Sequence, residues 1–152
     1  MTVRAAGCPL CDGPGGRVVL QAPRWRLVHA QEAGFPAFYR VVWQDHVREF
    51  SQLAPGDRQA CVGAVVAVEE VLLRRLRPAK VNVASLGNAV PHLHWHVVAR
   101  FDWDSHFPGA VWAGALRAQD VARLDALAAG LPALEEELLR ALAPLSGDAT
   151  EA

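Results

Sequence analysis

From Pro91 to Val98 the chain reads Pro-His-Leu-His-Trp-His-Val-Val, a strict alternation of imidazole and apolar side chains. Successive side chains of a β-strand point to opposite faces. As a strand, this stretch sets His92, His94 and His96 on one face and Leu93, Trp95 and Val97 on the other. Chemistry and core are thereby separated. Neighbouring imidazoles on that face would lie roughly 6.5 to 7 Å apart, close enough to address one ligand or one ion together. The motif alone admits three readings: a solvated strand face, three ligands of a catalytic metal, or a middle histidine acting as nucleophile with support from its neighbours.

The remaining punctuation fixes what surrounds that strand. Gly13 to Gly16 is a turn-rich break, after which Arg17 to Gln21 and Arg24 to Ala30 read as a hairpin joined at Ala22-Pro23. Phe38 to Trp43 is aromatic and β-branched and predicts a third strand. Apolar residues at Cys61, Val65, Val68, Leu72 and Leu76 recur every three or four positions, which predicts one long helix over Asp57 to Arg77. Pro55 suits its first turn, Arg74, Arg75 and Arg77 suit its negative end, and Pro78 stops it. Two more strands follow at Lys80 to Ser85 and Pro91 to Arg100, separated by Leu86-Gly87-Asn88. Asp102 to Trp112 is a loop with aromatic residues at Trp103, His106, Phe107 and Trp112, read chiefly as packing and alternatively as a wall for a stacked base. Arg117 to Ala143 is rich in Ala, Leu and Glu, and Gly130 and Pro132 divide it into two helices. Strands without regular helix alternation predict an α+β fold on an antiparallel sheet of about five strands. The expectation is one domain over 1–152, with a core at 8–112 and a C-terminal helical extension at 113–152.

Composition narrows the function classes. The chain has 152 residues, 52% of them hydrophobic and 20% charged, which fits one packed core and argues against disorder. Lys+Arg 15 against Asp+Glu 16 gives a formal net charge of -1, so the broad basic footprint needed for a long nucleic acid is missing. No 18-residue apolar run predicts a membrane span, and the N-terminal residues lack the pattern of a signal or transit peptide. A cytoplasmic location is expected. Of the three cysteines, Cys61 falls in the apolar pattern of the long helix, whereas Cys8 and Cys11 form a C-x-x-C that calls for a chemical explanation.

The stretch His92-Leu-His94-Trp-His96-Val-Val resembles the signature of the histidine triad (HIT) superfamily, in which three histidines alternate with apolar residues. Gly87-Asn88 stands where that family carries a Gly-Gln phosphate loop. Phe38 to Phe50, the long helix and Lys80-Val81-Asn82-Val83 are similar to the family's third strand, long helix and fourth strand, so the resemblance runs from residue 8 to 100. It implies cleavage or transfer of nucleoside monophosphate groups. His94 would attack the α-phosphorus to give a nucleotidyl-histidine, and His96 would serve the phosphate and leaving group. Substrate contacts would come from Gly87, Asn88 and Asn82. Dinucleoside polyphosphates and nucleoside phosphoramidates are the substrate classes implied, with transfer to another phosphate or a non-catalytic binding module as alternatives; His96, where transferring relatives carry Gln, favours water as acceptor.

Cys8-Pro-Leu-Cys11 also resembles the N-terminal C-x-x-C of a zinc-bearing HIT subset related to galactose-1-phosphate uridylyltransferase. That resemblance implies a structural zinc ion on Cys8, Cys11, His46 and His92, a closed Cys2His2 set that takes His92 away from the substrate. The family also implies a homodimer. Two departures stand out: Phe38 occupies the position at which many members carry a fourth histidine, and Ala30 falls where a ribose-gripping residue is usual, with only Gln31 and Glu32 nearby.

Overall fold

A computed structural model of the protein describes residues 1–147. The last five residues of the expected C-terminal extension lie outside the described residues. A single helical turn, α1 (Pro9–Asp12), precedes the hairpin of β1 (Arg17–Gln21) and β2 (Trp25–His29), and β3 (Phe38–Trp43) follows. The long helix α2 (Pro55–Leu76) then leads to β4 (Lys80–Ala84) and β5 (His94–Arg100), and two further helices, α3 (Val121–Ala129) and α4 (Leu131–Leu142), follow. The sheet has the order β1-β2-β3-β5-β4 and every neighbouring pair is antiparallel. Passage through α2 carries the chain beyond the position beside β3, and β5 returns to fill it.

Alternation in three strands decides which face is covered. Trp25, Leu27, Tyr39, Val41, Trp43, Val97 and Ala99 all point to one side, where they meet Cys61, Ala64, Val68 and Leu72 of α2 and Leu134, Leu138 and Leu142 of α4 in one core. Each fully buried Leu or Val there contributes roughly 1.5 to 3 kcal/mol of transfer free energy. The four-residue spacing of the α4 leucines is the helical repeat that turns one stripe inward. Helix α2 starts two residues before the sequence-based boundary, with Pro55 in its first turn, and ends at Arg77, whose φ of 46° is left-handed.

The opposite face of the sheet is different in kind. It carries two small apolar clusters, Cys8, Leu10, Val28 and Val42 at one end and Phe35, Phe38, Val98 and Val111 at the other. Arg40, His94 and His96 lie between them on β3 and β5, with Arg40 directly opposite His96 in the register.

Two sequence expectations need correction. The last strand begins at His94 rather than Pro91, so His92 does not share a strand face with His94 and His96. The backbone of Leu93 is bonded to the end of β3 and to the chain beyond it: Leu93 donates to the Val47 carbonyl at 2.7 Å while Trp43 donates to the Leu93 carbonyl at 3.1 Å. The first C-terminal helix begins at Val121 rather than Arg117, because Asp120 caps it by accepting from the Arg123 amide at 3.1 Å.

Candidate functional site

Histidines 94 and 96 sit beside the loop that joins β4 to β5. With Leu86, Gly87, Asn88, Ala89, Val90 and Trp112 they line a hollow of about 280 Å³. Gly87 has a φ of +73°, a left-handed conformation that a glycine adopts without strain. His94 Nδ1 lies 2.6 Å from the His92 carbonyl, which only accepts, so Nδ1 carries the proton and Nε2 keeps its lone pair. Burial lowers the basicity of His94, and the nearby positive charge of Arg40 lowers it further against the opposing bond to the His92 carbonyl.

His96 is enclosed more tightly. Its ring lies 4.9 Å from His94, 5.0 Å from Trp112 and 5.4 Å from Phe38, each edge-on, and it is 6% exposed. Burial, with help from His94 and Arg40, pushes its pKa down to about 3. Its Nδ1 is buried without a hydrogen-bond partner in the protein.

A second constellation lies at the N-terminal end of the same face. Cys8 precedes α1 and its carbonyl accepts from the Cys11 and Asp12 amides, both at 2.9 Å, a single turn that sets the two thiols side by side. His92 Nδ1 stands 3.5 Å from each sulfur, and His46 Nδ1 stands 3.5 Å from Cys11 Sγ. The four ligand atoms of Cys8, Cys11, His46 and His92 lie within 4.8 Å of one another and suit a metal ion. His92 Nε2 donates to the Trp43 carbonyl at 2.7 Å, the outer hydrogen bond that fixes a ligating imidazole with its other nitrogen bare. Arg26, held by the carbonyls of Leu10 and Pro14, places a buried cation near Cys8 and Cys11.

The other sequence-derived residues scatter. Asn82 lies on the histidine face of the sheet but opposite Val98, and its amide oxygen accepts from Arg100 at 2.9 Å instead of lining the hollow. Of the aromatic loop, Trp112 alone reaches the histidines; Trp103 stacks on Phe101 at 4.9 Å, His106 meets Phe35, and Phe107 lies by Arg100. Ala30 packs against the Phe35, Phe38, Val98 and Val111 cluster. One residue escaped the sequence reading altogether. Arg40 interrupts an otherwise apolar strand, and that interruption was the available signal.

The conserved pattern that defines the HIT domain matches residues 15–103. With more than half of the chain matched, and with this sheet and this pair of histidines, the protein belongs to the HIT domain family. Its fold is similar to that of a histidine triad protein from Bradyrhizobium japonicum, with a TM-score of 0.69 at 20% identity over 91% of this chain and 99% of that one. A histidine triad protein from Marinobacter aquaeolei VT8 gives 0.65 at 24% identity over 82% and 92%. A zinc-bound histidine triad family protein from Mycobacterium smegmatis gives 0.56 at 18% identity over 86% and 96%. No curated protein matches the sequence. As a member of this family the protein is read as a nucleotide-binding protein of the HIT type.

Proposed function

We propose that the protein hydrolytically cleaves a nucleoside monophosphate group from a dinucleoside polyphosphate or a nucleoside phosphoramidate, with His94 as the nucleophile and a nucleotidyl-histidine as the intermediate. The observation that carries this reading is the 2.6 Å bond from His94 Nδ1 to the His92 carbonyl, which leaves Nε2 unprotonated at the edge of the hollow. Nε2 attacks phosphorus and the bond to the leaving oxygen or nitrogen breaks. The ring then carries positive charge at Nδ1–H, and the carbonyl stabilises it. Water next attacks the same phosphorus, the P–N bond breaks, and the ring leaves neutral with a nucleoside monophosphate. His96 starts neutral; the arrival of a phosphate anion beside it raises its proton affinity, so it takes up a proton from solvent as the substrate binds, hands it to the departing atom, and takes one back from the attacking water in the second step. Gly87 and Asn88 supply donors to phosphate oxygens from the loop that lines the hollow.

We assign zinc to the Cys8, Cys11, His46 and His92 set. Zn–S of about 2.3 Å and Zn–N of about 2.0 to 2.1 Å give a tetrahedral S to N edge of about 3.6 Å, beside the 3.5 Å separations observed. Four protein ligands close the shell, so the ion supplies bracing and not a reacting water. Thiols kept as ligands suit a reducing compartment, in keeping with a cytoplasmic location. A homodimer is supported by β4, an edge strand whose exposed Val83 adjoins exposed Val62 and Val66 of α2 in one apolar strip. A dimer in light scattering that Val66→Glu converts to a monomer supports that surface; an unchanged mass rejects it.

Incubation of the His96→Ala variant with adenosine phosphoramidate or diadenosine polyphosphate, followed by intact-mass measurement, tests the chemistry. An adduct of one nucleotidyl group that disappears with His94→Ala is expected. No adduct and no product with any nucleotide would favour the rival reading, a non-catalytic nucleotide-binding module, for which Phe38 in place of a fourth histidine speaks.

A further inference from the structure

Arg40 has no structural partner that accounts for it. Its side chain leaves β3 on the face opposite the main core, between the two small apolar clusters and directly across from His96. One terminal nitrogen donates to the Gly15 carbonyl at 2.8 Å, and the guanidinium lies 5.3 Å from the centre of the Phe38 ring. Among the described residues, no carboxylate lies within ion-pair distance of it; Glu32 acts on it only through its longer-range field. Its Nε is buried without an acceptor. Three buried side-chain polar atoms among the described residues have no partner, and two of them, Arg40 Nε and His96 Nδ1, belong to residues facing each other across β3 and β5.

A half-buried cation with an unpaired buried donor is unfavourable in the free protein, since it has lost hydration without gaining an acceptor. That cost is offset by an anion with several acceptor oxygens brought against the cation. A carbonyl pins one terminal nitrogen and the guanidinium lies over the Phe38 ring, so the cation is held in place while its other terminal nitrogen has no hydrogen-bond partner among the described residues and is the donor open to a phosphate or carboxylate. The hollow lined by residues 86–90 flanks the histidines on the β4 side, and Arg40 flanks them on the β3 side.

We propose that Arg40 binds the phosphoryl group of the substrate from the β3 side, so that the group is held between the guanidinium and His96. This inference rests on the nucleotide reading given above. It also accounts for Phe38: the donor missing at the head of β3 is supplied two residues later on the same face, and the Phe38 ring becomes its support. The protein would accordingly recognise nucleotides by their phosphate charge.

Calorimetric titration of AMP, GMP, CMP and UMP, each beside its nucleoside, into the unaltered protein and into Arg40→Gln and Arg40→Lys provides the test. Arg40→Gln is expected to weaken binding of the accepted nucleotide about 10- to 100-fold, the range of a charge-assisted hydrogen bond. Binding of the nucleoside should stay within about twofold. Arg40→Lys, which keeps the charge and loses the fork, should recover part of the loss; if Arg40→Gln does not fold, a loss with Arg40→Lys confined to the nucleotide supports the same assignment. Equal losses for nucleotide and nucleoside, or no loss in either variant, overturn the role of Arg40 and leave the enzymatic reading standing. Failure of the unaltered protein to bind any of the four nucleotides overturns both.

Discussion

Removal of the metal should lower the melting temperature without unfolding the protein, and the size of the drop can be worked out. The N-terminal segment has other attachments: Leu10 is 8% exposed against Val28 and Val42, Val3 donates to Asp45 at 2.7 Å, and the Val3 carbonyl accepts from the His46 amide at 2.9 Å. The ion therefore adds its binding energy to a fold that already exists. With two thiolates and two imidazoles an affinity of about 1 nM lies within the range for structural zinc. At a free zinc concentration of about 1 µM the ratio to Kd is about 1,000, which stabilises the folded state by about 4 kcal/mol. At about 2 to 4 °C per kcal/mol for a chain of this size, the melting temperature should rise by about 8 to 16 °C over that in excess EDTA. Scanning calorimetry with zinc and with EDTA measures it. Cys11→Ser, which removes the sulfur next to both imidazoles, should abolish most of the difference, whereas Cys61→Ser should preserve it. A melting temperature that does not respond to zinc, or a full response in Cys11→Ser, refutes the ligand set.

Three further outcomes follow from particular contacts. Asp104 accepts from Arg100 Nε at 2.8 Å, and the two side chains are 4% and 1% exposed, so Asp104→Ala strands a buried cation and should cost about 3 to 5 kcal/mol in urea unfolding. The Tyr39 hydroxyl donates to Glu135 at 3.1 Å, joining β3 to α4, and its burial raises the phenol pKa; Tyr39→Phe should cost about 1 kcal/mol and a loss beyond about 3 would refute a simple hydrogen bond. His96 titrates near 3 when folded and near 6.5 when unfolded, so as pH falls below 6.5 the unfolded chain takes up the proton first. Stability contributed above pH 6.5 is thus lost progressively down to about 3, and His96→Gln should show a smaller decline than the unaltered protein between pH 7 and 4.5; parallel declines would exclude His96 as the cause.

Much of this architecture can be read directly from residue order. Alternation in Phe38 to Trp43 and His94 to Arg100 assigns one face to the helices, the spacing from Cys61 to Leu72 assigns the matching stripe of α2, and Pro78 ends it. The C-x-x-C spacing marked the paired thiols of Cys8 and Cys11 from sequence neighbours alone, whereas Gly87 and Asn88 were singled out by the family resemblance. Arg40 was not, because its meaning comes from the strand beside it; an arginine in a strand is unremarkable until its register partner proves to be His96. Asn82 failed in the opposite sense, since its strand and face were right but Arg100 takes its amide oxygen.

The start of β5 at His94 rather than Pro91 explains how the two constellations are joined. A period of two holds only while the backbone stays pleated, and here pleating stops at His94 because Leu93 exchanges its hydrogen bonds with Val47 and Trp43. Had the strand continued, the His92 ring would have pointed beside His94 and its carbonyl would have been spent on a neighbouring strand. The break instead turns the ring to the thiols, with Nε2 anchored on the Trp43 carbonyl, and leaves the His92 carbonyl free to accept from His94 Nδ1. One residue thus ties the metal ligand set through its side chain to the tautomer of the nucleophile through its backbone. Loss of the metal should therefore loosen the orientation of His94 before it affects the main core, which is built from the other face of the sheet and does not include His92.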